Sequence, residues 1–248
     1  MATPVGRTDI GGCAVLTLDR PQRLNAISTP LLDALDAHLD RIEQDDSRAY
    51  VIAGAGRAFC VGSDLKEREP DPGQRILRMH RLILRMRGFP KLGVAAIHGH
   101  ALGGGLEIAL GCTFRVADPD ARLGLPEVKL SVIPCYGGTQ LLPRLIGEVR
   151  ALDMMLSGEP IDAATALAWG LVDRVSRPGE AVAAAVDFAL KRAAHGAAAE
   201  RAIREAVWLG ADLPLDRALA EEHPIAVCVS ESAEATAGIA AFLGRAKG

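Results

Sequence analysis

Apolar residues follow two rhythms along the first half of the chain. Short apolar runs predict strands at Cys13–Leu18 (CAVLTL), at 50–54 (YVIAG, closed by a glycine) and at 93–99 (GVAAIHG). Between them the spacing lengthens to that of a helix. Thr29 followed by Pro30 predicts an N-cap with proline at the first helical position, and Leu31, Leu35, Leu39 and Ile42 then line one face. A second helix is predicted over 74–87, with Ile76, Met79, Ile83 and Met86 on its apolar side. Strands alternating with helices predict an α/β domain.

The second half changes character. After LVDRV at 171–175, read as a strand, no further strand is predicted. Helices are expected at 181–194, 198–209, 215–222 and 233–245, rich in alanine and punctuated by Pro214 and Pro224. This tail carries too few large apolar residues for a robust core of its own. It is expected to pack on the first domain or on another subunit. The division falls between a core of 1–194 and a helical region of 195–248.

Composition narrows the functions without choosing one. The 248 residues are 49% hydrophobic and 24% charged, with a formal net charge of -3. That balance lacks the basic footprint of a nucleic-acid binder. Cys13, Cys60, Cys112, Cys135 and Cys228 are odd in number and nowhere spaced CxxC, which argues against a disulfide framework and a zinc site. The N-terminus shows no apolar signal segment, and no apolar run approaches the ~18 residues of a membrane span. A cytoplasmic protein without metal is expected.

Candidate chemistry concentrates in three segments. In HGHALGGGLEIALGC, at 98–112, a strand runs into Gly103, Gly104 and Gly105 and then directly into a helical pattern. Such a junction leaves free N–H groups at a helix N-terminus and suits a carbonyl oxygen that becomes an oxyanion; it equally suits a tight turn that packs helix on strand. Glu107 follows in the first helical turn, either as a partner of the helix dipole or as a buried acid–base group. Glu127, after Pro126 in LGLPEVKLSVIPCYGGT, is either a helix-start residue or a second acid. The third segment, GAGRAFCVGSDLKE at 54–67, is an irregular glycine loop in which Ser63 to Lys66 open what reads as another helix. It lacks a dinucleotide fingerprint and a Walker lysine.

In order and spacing these segments resemble the enoyl-CoA hydratase/isomerase (crotonase) family. LDRPQRLNAIS at 18–28, LSGEPIDAATALAWGLVDRV at 156–175 and SAEATAGIAAFLGR at 232–245 extend the resemblance over nearly the whole chain. It implies a spiral of ββα units with a helical C-terminal trimerisation region. It also implies an acyl-CoA thioester substrate, with coenzyme A as part of that substrate and no other cofactor, and a homotrimer or dimer of trimers that uses neither nucleic acid nor membrane. Matched by position, the backbone N–H groups of Ser63 and Gly104 form an oxyanion hole. Glu107 and Glu127 are the catalytic acids. Arg23 and Lys66 approach the CoA phosphates, Val61 and Ser63 the adenine, and Ala26, Asp64, Leu65 and Tyr136 complete the substrate path. Family isomerases typically keep only the second glutamate, so the pair implies hydration of a trans-2-enoyl-CoA to a 3-hydroxyacyl-CoA. The alternatives are isomerisation, decarboxylation or hydrolysis on the same site, or a non-catalytic CoA- or RNA-binding homologue. His98 and His100 are not required by the match. Where the family loop often reads P-G-x-G-G-T, this chain has Cys135 and Tyr136, which puts the acyl range in doubt. The family's further aromatic cover for a neighbouring adenine has no counterpart after Phe242, so modest CoA affinity is expected.

Overall fold

The computed structural model describes residues 3–67 and 71–245. The chain forms two compact units, Met1–Leu190 and Lys191–Gly248. In order, the first unit contains β1 (Val5–Ile10), β2 (Cys13–Leu18), α1 (Thr29–Gln44), β3 (Ala49–Gly54), β4 (Ala58–Cys60), α2 (Pro72–Arg87), β5 (Leu92–Ile97), β6 (His100–Leu102), α3 (Gly104–Gly111), β7 (Phe114–Ala117) and β8 (Arg122–Gly124). It continues through α4 (Gly138–Ile146), α5 (Glu148–Ser157), β9 (Ile161–Asp162), α6 (Ala163–Trp169) and β10 (Arg174–Val175) to α7 (Ala181–Arg192), which reaches the division between the units. The second unit holds α8 (Ala197–Gly210), α9 (Leu215–Ser230) and α10 (Ala233–Arg245).

The strands separate into two sheets by a simple rule. The order β1-β2-β3-β5-β7-β10 makes the larger sheet and β4-β6-β8-β9 the smaller. Each of β3, β5 and β7 enters the large sheet, and its short successor β4, β6 or β8 enters the small one, all in parallel register. This is the spiral of ββα units that the resemblance implies. The strands β2, β3 and β5 are almost wholly buried. Central parallel strands are covered on both faces, so they read as continuous apolar runs, and the apolar pattern finds them.

Other elements depart from expectation for physical reasons. The strand β1 was not predicted: it is a polar edge strand, paired antiparallel to β2 across the Gly11-Gly12 turn, with its later residues exposed. The first helix begins at Thr29, so Ser28 is the N-cap and Thr29 is not; Pro30 is second in the helix. The Thr29 N–H is capped by a remote group, donating to both Glu67 carboxylate oxygens at 3.0 and 3.1 Å. No helix opens at Ser63. Asp64 Oδ1 accepts the Lys66 N–H at 3.2 Å, a local bond that closes a turn in its place. Of the 171–175 run only Arg174 and Val175 are strand. Pro224 lies inside α9, which runs on to Ser230 packed along α8. Among the described residues no single helix is long and apolar enough to cross a membrane.

Every residue of α3 is buried, and Glu107 is its one charged side chain. This helix packs on β4 so closely that a Cβ added to Gly105 would lie 2.2 Å from the Cys60 carbonyl oxygen. Gly105→Ala is therefore expected to destabilise the protein by about 3 kcal/mol, the upper range for overpacking. Urea unfolding midpoints check this, and an unchanged midpoint would mean that α3 shifts freely.

Candidate active site

Gly103 makes the junction between β6 and α3. Its φ of 53° is a backbone conformation in which glycine is strain-free. Its N–H continues the sheet, donating to Gly124 O at 2.9 Å, and its carbonyl accepts the first helical bond from Glu107 N at 3.0 Å. Gly104 is the first helical residue, and Gly103 offers no capping side chain. The Gly104 N–H is thus one of the unpaired donors of a helix N-terminus.

Ser63 supplies a second such donor by another route. It bridges in parallel to Ile27, which donates to Gly62 O at 2.8 Å and accepts from Asp64 N at 2.9 Å. In a parallel bridge the partner residue makes both bonds, so the Ser63 N–H is turned the other way. That flank faces the glycine turn: a Cβ built on Gly62 would lie 3.3 Å from Gly104 N.

Both donors border one cavity of about 720 Å³. Its lining includes Ser63, Gly104, Glu107, Glu127 and Tyr136, among aliphatic walls such as Leu130 and Ile133. Glu107 is 1% exposed. Its Oε1 accepts from the N–H groups of Tyr136 and Gly138, each at 2.7 Å. Burial pushes its carboxyl up to about 7; the Gly138 and Tyr136 N–H groups oppose the rise, and the charge of Glu127 adds to it. Glu127 opens a 3-10 turn, Glu127–Leu130, and folds its carboxylate over Gly103, with Oε1 2.9 Å from where a Cβ would sit. Burial also raises its pKa. Its Oε2 is buried and accepts no hydrogen bond from the protein among the described residues. Such an oxygen is costly unless a donor reaches it, so it is an acceptor position facing a ligand-sized space.

The loop 134–138 is held from two sides. Its N–H groups grip Glu107, and the Cys135 carbonyl accepts from His80 Nε2 on α2 at 2.8 Å, which fixes the proton on that ring nitrogen. The Tyr136 hydroxyl and Ser63 Oγ share a hydrogen bond at 2.8 Å.

Of the residues expected on the substrate path, Val61, Ser63, Leu65, Gly104 and Tyr136 line the cavity with the two glutamates. Ala26 is buried, and its carbonyl accepts from Arg20 at 2.5 Å. Asp64 pairs with Arg20 at 2.8 Å, and that hydrogen bond, with Arg23 nearby, holds its carboxyl below the usual range. Arg23 and Lys66 are exposed outside the cavity lining.

Three positioning groups escaped the sequence reading. Buried Asn25, at a φ of 57°, accepts from Arg20 N and donates to the carbonyls of Ala55, Ala58 and Phe59, pinning the 18–28 turn to the start of β4. An asparagine flanked by turn residues is the faint signal for it. Arg75 joins Thr29 Oγ1 at 2.9 Å to Glu67 Oε2 at 2.7 Å, and His80 holds the Cys135 carbonyl. Neither leaves a local sequence mark.

Comparison with known proteins places the chain in a family. The sequence profile described as enoyl-CoA hydratase/isomerase matches residues 9–248. The chain is 36% identical to an (E)-benzylidenesuccinyl-CoA hydratase of Thauera aromatica, over 92% of this chain and 91% of that one. It is also 36% identical to a short-chain-enoyl-CoA hydratase of Clostridium acetobutylicum, covering 86% and 84% respectively. The crystal structure of an enoyl-CoA hydratase from Bacillus anthracis superposes with a TM-score of 0.91 at 33% identity, over 98% of this chain and 96% of that one. With a matching profile over almost its whole length, relatives aligned over more than four fifths of both chains and the same ββα spiral, this chain belongs to the enoyl-CoA hydratase/isomerase family.

Proposed function

We propose that this enzyme is an enoyl-CoA hydratase, which adds water to a trans-2-enoyl-CoA to give a 3-hydroxyacyl-CoA. The observation that carries the reading is the convergence of one buried and one half-buried carboxyl and two unpaired backbone N–H groups on one apolar cavity. The N–H groups of Ser63 and Gly104 take the thioester oxygen as it becomes an enolate. Losing one such donor typically costs ~10²–10³ in rate. Glu107, held by two N–H groups, removes a proton from water as its hydroxyl bonds to Cβ. Glu127, protonated, gives its proton to Cα. The water proton ends on Glu107, the proton of Glu127 ends on Cα, and exchange with solvent resets the pair. The sum is the addition of one water. A carboxyl held near 7 suits a base at neutral pH.

The presence of both acids favours hydration over double-bond migration, for which one carboxyl suffices. The hydratase names of the Thauera and Clostridium relatives support the same choice. The exposed aliphatic and aromatic faces of the second unit, including Ile203, Val207, Leu215, Ile239 and Phe242, support assembly into the homotrimer or pair of trimers that the family resemblance implies. The test of function is direct. Purified protein is expected to abolish the conjugated enoyl-thioester absorbance of trans-but-2-enoyl-CoA or a longer homologue, with the 3-hydroxyacyl product identified by mass spectrometry. No loss of absorbance across a chain-length panel would end the hydratase reading.

A further inference from the structure

Tyr136 touches three parts of the site at once. Its N–H donates to Glu107 Oε1, its hydroxyl is bonded to Ser63 Oγ, and its ring edge lies on Gly104. A Cβ built on Gly104 would stand 2.9 Å from Cδ2 of the ring and 3.1 Å from Cε2, with Ile27 Cδ1 also at 2.9 Å. The ring and Ile27 therefore leave no room for a methyl group on that side of the glycine. The ring is also fixed. It is 7% exposed, and to swing away it must break the bond to Ser63. The outer walls are different: Leu65, Leu130, Val132 and Ile133 are largely exposed aliphatic side chains, which can turn aside.

We propose that Tyr136, clamped by Ser63, is a specificity-determining wall that admits acyl groups unbranched at Cα and rejects those carrying a Cα substituent, while chain length is left open. This rests on reading the cavity as a thioester site. An oxygen accepting from Gly104 N–H lies about 3 Å from it. The carbonyl carbon and Cα follow within the next two bonds, so a substituent on Cα comes up against the ring edge that lines the cavity beside Gly104. A single methyl in a close-fitting pocket is worth about 10- to 200-fold in kcat/KM.

The experiment compares trans-but-2-enoyl-CoA with trans-2-methylbut-2-enoyl-CoA for the native enzyme, Tyr136→Phe and Tyr136→Ala. The native enzyme is expected to prefer the unbranched thioester by about 10- to 200-fold. Tyr136→Phe keeps the ring and most of that preference. Tyr136→Ala retains the backbone N–H on Glu107 and is expected to lose about tenfold or more of the preference. General damage to the fold lowers both rates and leaves their ratio alone. An unchanged ratio in Tyr136→Ala would overturn the wall. If that variant is insoluble, Tyr136→Leu answers the same question. Calorimetric binding of butanoyl-CoA and 2-methylbutanoyl-CoA reads the wall without turnover. Equal affinities in the native protein would overturn it even if hydration occurs. A binding preference with no hydration of either enoyl thioester would remove the hydratase reading and keep the wall.

Discussion

Exchanging Glu127 for glutamine is expected to lower kcat for enoyl-CoA hydration by about 10²–10⁴, the usual worth of a positioned proton donor. The amide keeps the volume and the acceptor of the carboxyl but has no proton of the right acidity to give to Cα. Stability should not fall, because Glu127 Oε2 accepts no hydrogen bond from the protein among the described residues. KM should also move little, since the proton transfer belongs to the transition state. Full kcat in Glu127→Gln would remove this residue from the chemistry.

The parts of this protein that were legible in its sequence are those whose cause is local. Leu31, Leu35, Leu39 and Ile42 recur at helical spacing because one face of α1 is buried, and all four are. The glycine triplet and Glu107 announce a strand-to-helix junction because only glycine fits at Gly103, where φ is positive, and at Gly105, against the Cys60 carbonyl. Of the smaller sheet only β6, the strand that runs into the glycine triplet, was legible. β4 and β8 have three residues each, too few for alternation to show, and each is defined by its neighbour in space. The supports of the site were hidden for a related reason. Glu107 is held by main-chain N–H groups 29 and 31 residues away, and any residue but proline offers an N–H. Thr29 is capped by a carboxylate 38 residues on. Such bonds depend on where the backbone passes, so residue types in sequence carry little trace of them.

Glu107→Gln should separate the chemical cost of this carboxyl from its structural cost. Glutamine can still accept the Tyr136 and Gly138 N–H bonds through its carbonyl oxygen, so the loop 134–138 stays in place. It cannot take a proton from water, and kcat should fall by about 10²–10⁴. The native enzyme needs Glu107 ionised, so its kcat/KM should fall as the pH drops below about 7. Stability should run the opposite way. A carboxyl raised from 4.5 to about 7 by folding is easily buried when protonated and costly when charged. Its contribution is fully favourable below its ordinary pKa of 4.5 and is lost as the pH rises through about 7. That displacement corresponds to about 3 kcal/mol once the group is ionised. The glutamine variant escapes the loss. It should match the native protein at pH 4 and exceed it by about 3 kcal/mol at pH 8, a difference that paired urea titrations at the two pH values would resolve. Titrating groups away from this site are common to both proteins and cancel in the comparison. A variant that is equally stable, or less stable, at both pH values would show that Glu107 is not a strained, buried base, and with it would go the assignment of water activation to this residue.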